Sequence, residues 1–306
     1  MKVIKKLFLR FFIVVLCLFA CIYIFIPHEF DISVAQALKC NSSSAFRGMQ
    51  DETSWKKSWP QAGAGQYSYQ LGGKAYPELE IRLCGRGLSF PGRISVAPID
   101  RQDSSILLWR SVVVTGYNPW RKVAIWREAR SAHAAMAASV QSLCSFLEKK
   151  ENIYGIDIRE FMSYDSVVVV VEKNMPSYPS TGDIYGVIHA IRAFITKEGI
   201  REVNHPMLNV SREKNGQYHC MIAVPADRRT RDEGEFGFRR FVPWKMVGGE
   251  VRGGAGRAET AMGQLMLYVS DRQYTLMAVP FQSLITERDL EKDSSLWRTQ
   301  VAVPIP

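Results

Sequence analysis

The side chains of this sequence that could bind a metal or act as nucleophiles are scattered. None of the five histidines has a second His, Cys or carboxylate at metal-ligand spacing, the six cysteines form no CxxC pair, and there is no G-x-S-x-G motif. The sequence therefore predicts no catalytic residue, no metal site and no cofactor. A glycine-rich run before a predicted helix could cradle an anion, although such runs more often form tight turns: Gly253, Gly254, Ala255 and Gly256.

Aromatic side chains in the C-terminal third could instead line an apolar cleft, because large rings combine apolar area with a polar edge. We expect some of them to contact a ligand and the others to belong to the core. The set is Trp244, Tyr268, Tyr274, Phe281 and Trp297, with Tyr185 as a further candidate.

The N-terminus has the pattern of a membrane anchor. A basic segment, MKVIKKLFLR, precedes sixteen apolar residues from Phe11 to Ile26, and Pro27 closes the run. With the preceding apolar residues the stretch approaches the roughly 20 residues that cross a bilayer. Positive flanks stay in the cytoplasm, so we predict a single-pass membrane protein with its N-terminus inside and its domains outside the cytoplasm.

Two processing alternatives compete with an uncleaved anchor. Ala35-Gln36-Ala37 has the A-x-A form of a signal-peptidase site, but it lies well beyond the apolar run. Leu18-Phe19-Ala20-Cys21 resembles a bacterial lipoprotein box, but apolar residues follow the cysteine where lipoproteins have a polar tether. The uncleaved anchor is the preferred interpretation.

The length and composition indicate two globular domains after the anchor. The chain has 306 residues, of which 47% are hydrophobic and 23% charged, enough for a core without disulfide or metal support. The net charge is +9, but four of these charges precede the first acid, Glu29. The remaining excess is too small to indicate a nucleic-acid partner. We predict an α+β protein with an anchor at 1–28 and domains at 29–158 and 160–306.

In the first block, alternation at Phe30, Ile32 and Val34 predicts a strand, two short helices follow, and four strand-like runs come next. Pro119 then opens a long amphipathic helix. The predicted order is β-α-α-β-β-β-β-α.

The second block contains an internal repeat. Five valines at 167–171 predict a strand, a helix follows and ends near Gly199, and two strands come after it. The same order returns with a strand at 244–254, a helix, and strands at 274–284 and 297–305. Two tandem β-α-β-β units predict a pseudo-twofold sheet with a cleft between its halves.

The second block resembles a GyrI-like domain, the effector-binding module of bacterial multidrug-responsive transcription activators. The residues that carry this resemblance are VVVVVEK, GDIYGVIHAIRAFITKEGI, the NHPMLNVS and YHCMIAVP pair, KMVGGEVRGGAGRAETAMGQLMLYV and the closing VPFQSLITERDLEKDSSLWRTQVAVPIP. The resemblance implies a pocket for a small molecule.

The first block is similar to helix-grip domains of the START and polyketide-cyclase (SRPBCC) superfamily. FDISVAQALKCNSSSAFRGMQDETSWKKSWP matches the first strand, two helices and Trp-rich turn, and RSVVVTGYNPWRKVAIW with LCSFLEK matches the last strand and grip helix. The block is about one strand short, which implies a smaller cavity than usual.

Two glutamines stand where GyrI-like domains usually carry acids that hold cations or act as bases, and Leu284 replaces a frequent tyrosine. Gln282 and Gln300 keep hydrogen-bonding capacity without the charge. The resemblance therefore implies a neutral pocket, although these amides could equally satisfy backbone groups. If the pocket bound cations after all, another acid would have to face it, Glu250 or Glu172.

Together with the anchor, the two resemblances imply a protein of the bacterial inner membrane. We expect its extracytoplasmic domains to bind a small apolar or amphiphilic, uncharged ligand. The expected ligand-binding residues are Gln282, Gln300, Trp244, Tyr268 and Phe281. Two alternatives stay open. One is an enzyme of hydrolase or cyclase type that uses one of the two pockets. The other is a structural or interaction protein that has lost its pocket.

Overall fold

The computed structural model describes residues 2–60, 66–99, 103–163, 166–241 and 244–306. The chain divides into two compact units, Met1–Lys149 and Lys150–Pro306. Each unit is of mixed α+β type and contains one antiparallel sheet. The sequence analysis puts the boundary at 158–160, but Ile156 and Ile158 are buried in a core of the second unit.

The first unit begins with α1 (Lys2–Phe25), a helix long and apolar enough to cross a membrane over Lys6–Phe25. None of that stretch is buried against protein. This matches the apolar run in the sequence, and at 1.5 Å per residue such a stretch measures about 30 Å.

The rest of the first unit follows the predicted order of elements. These are β1 (Glu29–Leu38), α2 (Ser42–Gln50), α3 (Glu52–Ser58), β2 (Tyr67–Ala75), β3 (Glu78–Gly85), β4 (Leu88–Pro98), β5 (Ser105–Val114) and α4 (Pro119–Leu147). The five strands form a sheet in the order β1-β5-β4-β3-β2. Ala35, Gln36 and Ala37 lie within β1 and pair with β5, so a signal-peptidase cut there would remove almost all of that strand.

The α4 helix begins where the sequence predicts. The side chain of Asn118 accepts hydrogen bonds from the backbone nitrogens of Trp120 and Arg121, and Pro119 occupies the first turn. The helix packs on β1 and β5. Two fully buried tryptophans, Trp55 and Trp109, pack edge to face in the interior of the unit, with ring centroids 6.3 Å apart.

The second unit contains the predicted repeat with two added edge strands, β6 and β10. Its elements are α5 (Lys150–Tyr154), β6 (Arg159–Met162), β7 (Ser166–Met175), α6 (Thr181–Lys197), β8 (Met207–Arg212), β9 (Tyr218–Ala226), β10 (Gly237–Phe241), β11 (Lys245–Arg252), α7 (Ala255–Asp271), β12 (Phe281–Leu284) and β13 (Arg298–Ile305). The sheet order is β10-β7-β9-β8-β12-β13-β11-β6.

Both long helices of this unit pack on one face of the eight-stranded sheet, which we call the helix face. The α6 helix packs on β7 and β9, and α7 packs on β11 and β13. The two central strands, β8 and β12, therefore lie between the helices. The two apolar cores lie separately under α6 and α7.

The β12 strand is shorter than the sequence predicts. The apolar pattern at 274–284 indicates one long strand, but the strand covers Phe281–Leu284. Before it, the Met277 nitrogen donates one backbone hydrogen bond to Pro304 of β13 at 3.3 Å. Pro280 directly precedes the strand and has no N–H for a sheet ladder. Leu276, Met277 and Val279 are exposed instead.

Candidate functional site

The two glutamines of the sequence prediction project from opposite faces of the sheet. Gln282 of β12 lies opposite Val301 of β13, whereas Gln300 lies opposite Ser283. Because successive side chains of a strand alternate between faces, Gln282 shares the helix face with Val301, and Gln300 points the other way. The structure does not bring them together at one site.

On the face opposite the helices, Gln300 has a charged neighbour. It is paired across strands with Glu250, which binds the guanidinium of Arg298 at 2.7 and 3.0 Å. The hydrogen bonds from Arg298 hold the pKa of Glu250 below its usual value. The other acid named from the sequence, Glu172, also lies on this face and contacts Arg239 and His219. Both carboxylates are therefore engaged with basic side chains.

The aromatic candidates are dispersed. Tyr268 is 1% exposed in the core beneath α7. Tyr274 packs at the edge of the same core. Trp244 is partly buried just before β11, where its backbone nitrogen donates to the Ser163 hydroxyl at 2.8 Å. Phe281 is partly buried on the face opposite the helices.

A different residue, Arg288, occupies the space between the helices. It follows β12 and is 5% exposed. Its Nη2 donates to the hydroxyl of Thr299 at 2.7 Å, and its guanidinium lies 5.0 Å from the centre of the Trp297 ring. Its backbone nitrogen donates to the hydroxyl of Tyr185 at 2.8 Å. Two side chains flagged from the sequence, Trp297 and Tyr185, thus converge on an arginine that the sequence analysis did not single out.

The charge of Arg288 has no acidic partner among the described residues. No carboxylate there forms an ion pair with it, and its Nε is buried without a hydrogen-bond acceptor. Burial lowers the pKa of Arg288 from its ordinary value, but guanidinium groups stay protonated in proteins. The sequence prediction of a neutral pocket omitted this buried positive charge.

We define the interhelical site as Arg288 with the side chains around it on the helix face: Tyr178, Tyr185, Gln282, Trp297 and Thr299. Gln282 is 8% exposed and is a diagonal neighbour of Thr299 across β12 and β13. Neither the Gln282 amide nor the Tyr178 hydroxyl forms a hydrogen bond with another residue in the described part of the chain. The site therefore contains polar groups beyond those that hold the fold.

The two tyrosines of the site are protonated at neutral pH. Burial is the main cause that raises the pKa of both Tyr178 and Tyr185 above the usual value for phenols. Arg288 opposes the shift at both rings, and Glu259 of α7 adds to it at Tyr178. The Tyr178 ring packs edge to face with Tyr218 of β9, with ring centroids 5.7 Å apart.

One stripe of α6 fixes the segment that carries Arg288. Tyr185 donates to the backbone oxygen of Thr286 at 3.1 Å, and His189 lies 2.8 Å from Asp289. These residues are one turn apart on α6, and Arg192 continues the stripe.

Arg192 provides the strongest of these contacts. It binds Glu287 at 2.6 and 3.1 Å and Glu202 at 2.8 and 2.9 Å. The hydrogen bonds with Glu287 and then Glu202 raise the pKa of Arg192 above its usual range. Residues 286–289 are thus held at three successive points of α6, and this arrangement positions Arg288.

The charged group of the interhelical site is a guanidinium, which can bind an anion. Within the described ranges, no group of three or more His, Cys, Asp or Glu residues could hold a metal ion. Burial raises the pKa of the Cys220 thiol to about 11, so it is not a thiolate at neutral pH. A guanidinium, in contrast, is a geometric match for carboxylates and phosphates.

No known protein family and no curated protein matches the chain. Among solved structures it is similar to the EcmrR C-terminal domain, with 18% identity, 49% of this chain and 98% of that chain covered, and a TM-score of 0.43. It is also similar to SAV2435 bound to tetraphenylphosphonium, with 14% identity, 49% of this chain and 94% of that chain covered, and a TM-score of 0.34. A third similar structure is the Zhui aromatase/cyclase from Streptomyces sp. R1128, with 8% identity, 40% of this chain and 96% of that chain covered, and a TM-score of 0.29.

Proposed function

We propose that this chain is a membrane-anchored protein that binds a small apolar or amphiphilic molecule at the interhelical site. The observation that carries the proposal is a set of polar groups without protein partners: the Nε of Arg288, which is buried with no acceptor, and the amide of Gln282, which forms no hydrogen bond with another described residue. Buried polar groups in proteins are nearly always hydrogen-bonded, so such a set between two helices favours a ligand. Trp297 and Leu284 supply apolar surface beside them.

The proposed architecture is a helix-grip domain of SRPBCC type in the first unit and a GyrI-like domain in the second. The support is the order of elements: one β-α-α-β-β-β-β-α block, then two β-α-β-β repeats with both long helices on one face. The five-stranded sheet of the first unit has tryptophans in its interior, so the ligand site is assigned to the second unit.

We further propose that α1 spans a membrane and that both units lie outside the cytoplasm. Aromatic side chains surround the end of α1 within the first unit. Tyr23 donates to the backbone oxygen of Tyr117 at 2.6 Å, and Phe19 packs edge to face with Trp120 at 6.2 Å. Tyr117 and Trp120 remain 79% and 71% exposed. Exposed tyrosine and tryptophan at the end of an apolar helix are typical of the lipid–water interface.

Two measurements test the proposed function. The first is thermal unfolding of the full chain in lipid nanodiscs with apolar and amphiphilic compounds, empty nanodiscs being the blank. We expect at least one compound class to raise the melting temperature, because a ligand that binds only the folded state stabilises it. The absence of stabilisation by every class would contradict the proposal.

The second measurement is topology. A reporter active only outside the cytoplasm, fused after Pro306, should be active in a bacterial host. A reporter that fluoresces only in the cytoplasm should be dark at the same position. The reverse result would place both units inside the cell.

A further inference from the structure

We propose that the ligand of the interhelical site is a monocarboxylate with an apolar body, and that its carboxylate binds Arg288. This inference rests on the proposed function and names the ligand class for the same site. It replaces the uncharged ligand expected from the sequence by an anionic one.

The first argument is the charge. The Arg288 residue is only 5% exposed, and no acid among the described residues forms an ion pair with its guanidinium. A buried ion without a partner destabilises the folded protein, and a bound carboxylate offsets that cost. The Trp297 ring faces the cation at 5.0 Å and offsets only part of this cost, because a ring quadrupole attracts a cation more weakly than a full negative charge does.

The second argument is the number of unused donors. The guanidinium has five N–H groups, and its one side-chain acceptor in the described structure is the Thr299 hydroxyl, bound to Nη2. Nε is buried with no acceptor. A carboxylate accepts two parallel N–H bonds from one guanidinium. It would therefore suit Arg288, whose guanidinium has N–H groups without a protein acceptor.

The third argument is preorganisation. The α6 stripe holds Thr286, Glu287 and Asp289 on both sides of Arg288, and Thr299 fixes the guanidinium itself. A charge fixed in advance needs little reorganisation when a ligand arrives. The Tyr185 hydroxyl already bonds to Thr286 and Arg288. The further donors for a ligand are therefore the Gln282 amide and the Tyr178 hydroxyl.

Three acids act on the tyrosines of the site. Glu287 and Asp289 raise the pKa of Tyr185, but they contact Arg192 and His189. Glu259 on α7 is exposed and raises the pKa of Tyr178, whereas Arg288 lowers it. Solvent screens an exposed carboxylate more strongly than a buried guanidinium. Arg288 therefore determines which ligand charge the interhelical site prefers.

The experiment compares three ligands with the same ring system and different charge: 2-naphthoate, 2-naphthamide and 2-naphthyltrimethylammonium. Each is titrated calorimetrically into the full chain in nanodiscs, with empty nanodiscs as the blank. We expect naphthoate to bind at least about tenfold more tightly than naphthamide, because its carboxylate accepts charge-assisted hydrogen bonds. We expect naphthyltrimethylammonium to bind most weakly of the three.

The variants separate Arg288 from buried arginines in general. Arg288→Met should reduce naphthoate to the affinity of naphthamide. Arg272→Met is the matched control, since Arg272 is also buried (7% exposed) and lies over an aromatic ring, that of Tyr268 at 3.9 Å. That variant should keep the preference for naphthoate. If Arg288→Met does not fold, Arg288→Lys replaces it in the test. Lysine keeps the charge but cannot donate two parallel hydrogen bonds to a carboxylate, so the preference for naphthoate over naphthamide should fall severalfold.

The outcomes distinguish the two proposals. If the wild type binds naphthamide as tightly as naphthoate, or if the preference survives in Arg288→Met, the anionic ligand class is overturned while the binding function stands. If no naphthyl compound binds and no compound class stabilises the protein, the proposed function fails together with this inference.

Discussion

The hydroxyl of Tyr185 joins two backbone groups of a segment about a hundred residues away: it accepts from the nitrogen of Arg288 and donates to the oxygen of Thr286. Tyr185 is 2% exposed and Arg288 is 5% exposed. One buried hydroxyl thus satisfies both partners and fixes the start of the segment that carries the charge of the interhelical site.

We expect Tyr185→Phe to destabilise the protein by about 1–3 kcal/mol, because it leaves a buried N–H and a partly buried C=O without partners. Chemical denaturation of the full chain measures the change. Tyr178→Phe is the control, since the Tyr178 hydroxyl has no hydrogen-bond partner in the described chain. An equal loss in both variants would contradict this role of Tyr185.

Gln282→Glu and Gln300→Glu should have different effects although the substitutions are chemically identical. Gln282 shares the helix face with Thr299, so a carboxylate there opposes an anion at Arg288 and attracts cations. We expect Gln282→Glu to weaken naphthoate at least about tenfold and to strengthen naphthyltrimethylammonium.

Gln300→Glu should leave both affinities unchanged, because its side chain points to the other face. The same calorimetric titrations measure both variants. A change of affinity in Gln300→Glu equal to that in Gln282→Glu would show that the face assignment does not govern binding.

The ion pair of Glu250 and Arg298 predicts a pH dependence. The folded state lowers the pKa of Glu250 from 4.5, so the stabilisation is complete above that value and disappears as the pH falls through the lower folded pKa. Both side chains are about half exposed, so we expect Glu250→Gln to cost only a few tenths of a kcal/mol near neutral pH.

Denaturation curves at neutral and acidic pH test this prediction. Wild type and Glu250→Gln should differ at neutral pH and converge in acid. A difference that grows as the pH falls would contradict the sign of the shift.

Trp120 should report on the membrane surface. Its ring is 71% exposed beside Phe19 of α1, so brominated lipids in nanodiscs should quench it. We expect Trp120→Phe to lower the quenched fraction of tryptophan fluorescence. Trp126→Phe is the control, because Trp126 is partly buried and lies about 9 Å further along α4. Unchanged quenching in Trp120→Phe would place this end of α4 away from lipid.

The sequence by itself determined the local elements of this protein. The apolar run from Phe11 predicted α1, Asn118 and Pro119 predicted the start of α4, and the valines of 167–171 predicted β7. These features depend on neighbouring residues: on periodicity, capping and the missing N–H of proline. The structure has the predicted order of elements in the first block, and in the second block it adds α5, β6 and β10 to the predicted order.

Tertiary structure alone decided the composition of the site. Whether Gln282 and Gln300 share a face depends on the register between β12 and β13, and a shift of one residue reverses the face on which a side chain lies. Arg288 stands in a run of charged residues, TERDLEKD, that resembles a solvated loop. It is buried because Tyr185, His189 and Arg192 of α6 hold that run against the helix, and these contacts join residues about a hundred positions apart. Local patterns carry no information on such long-range pairing.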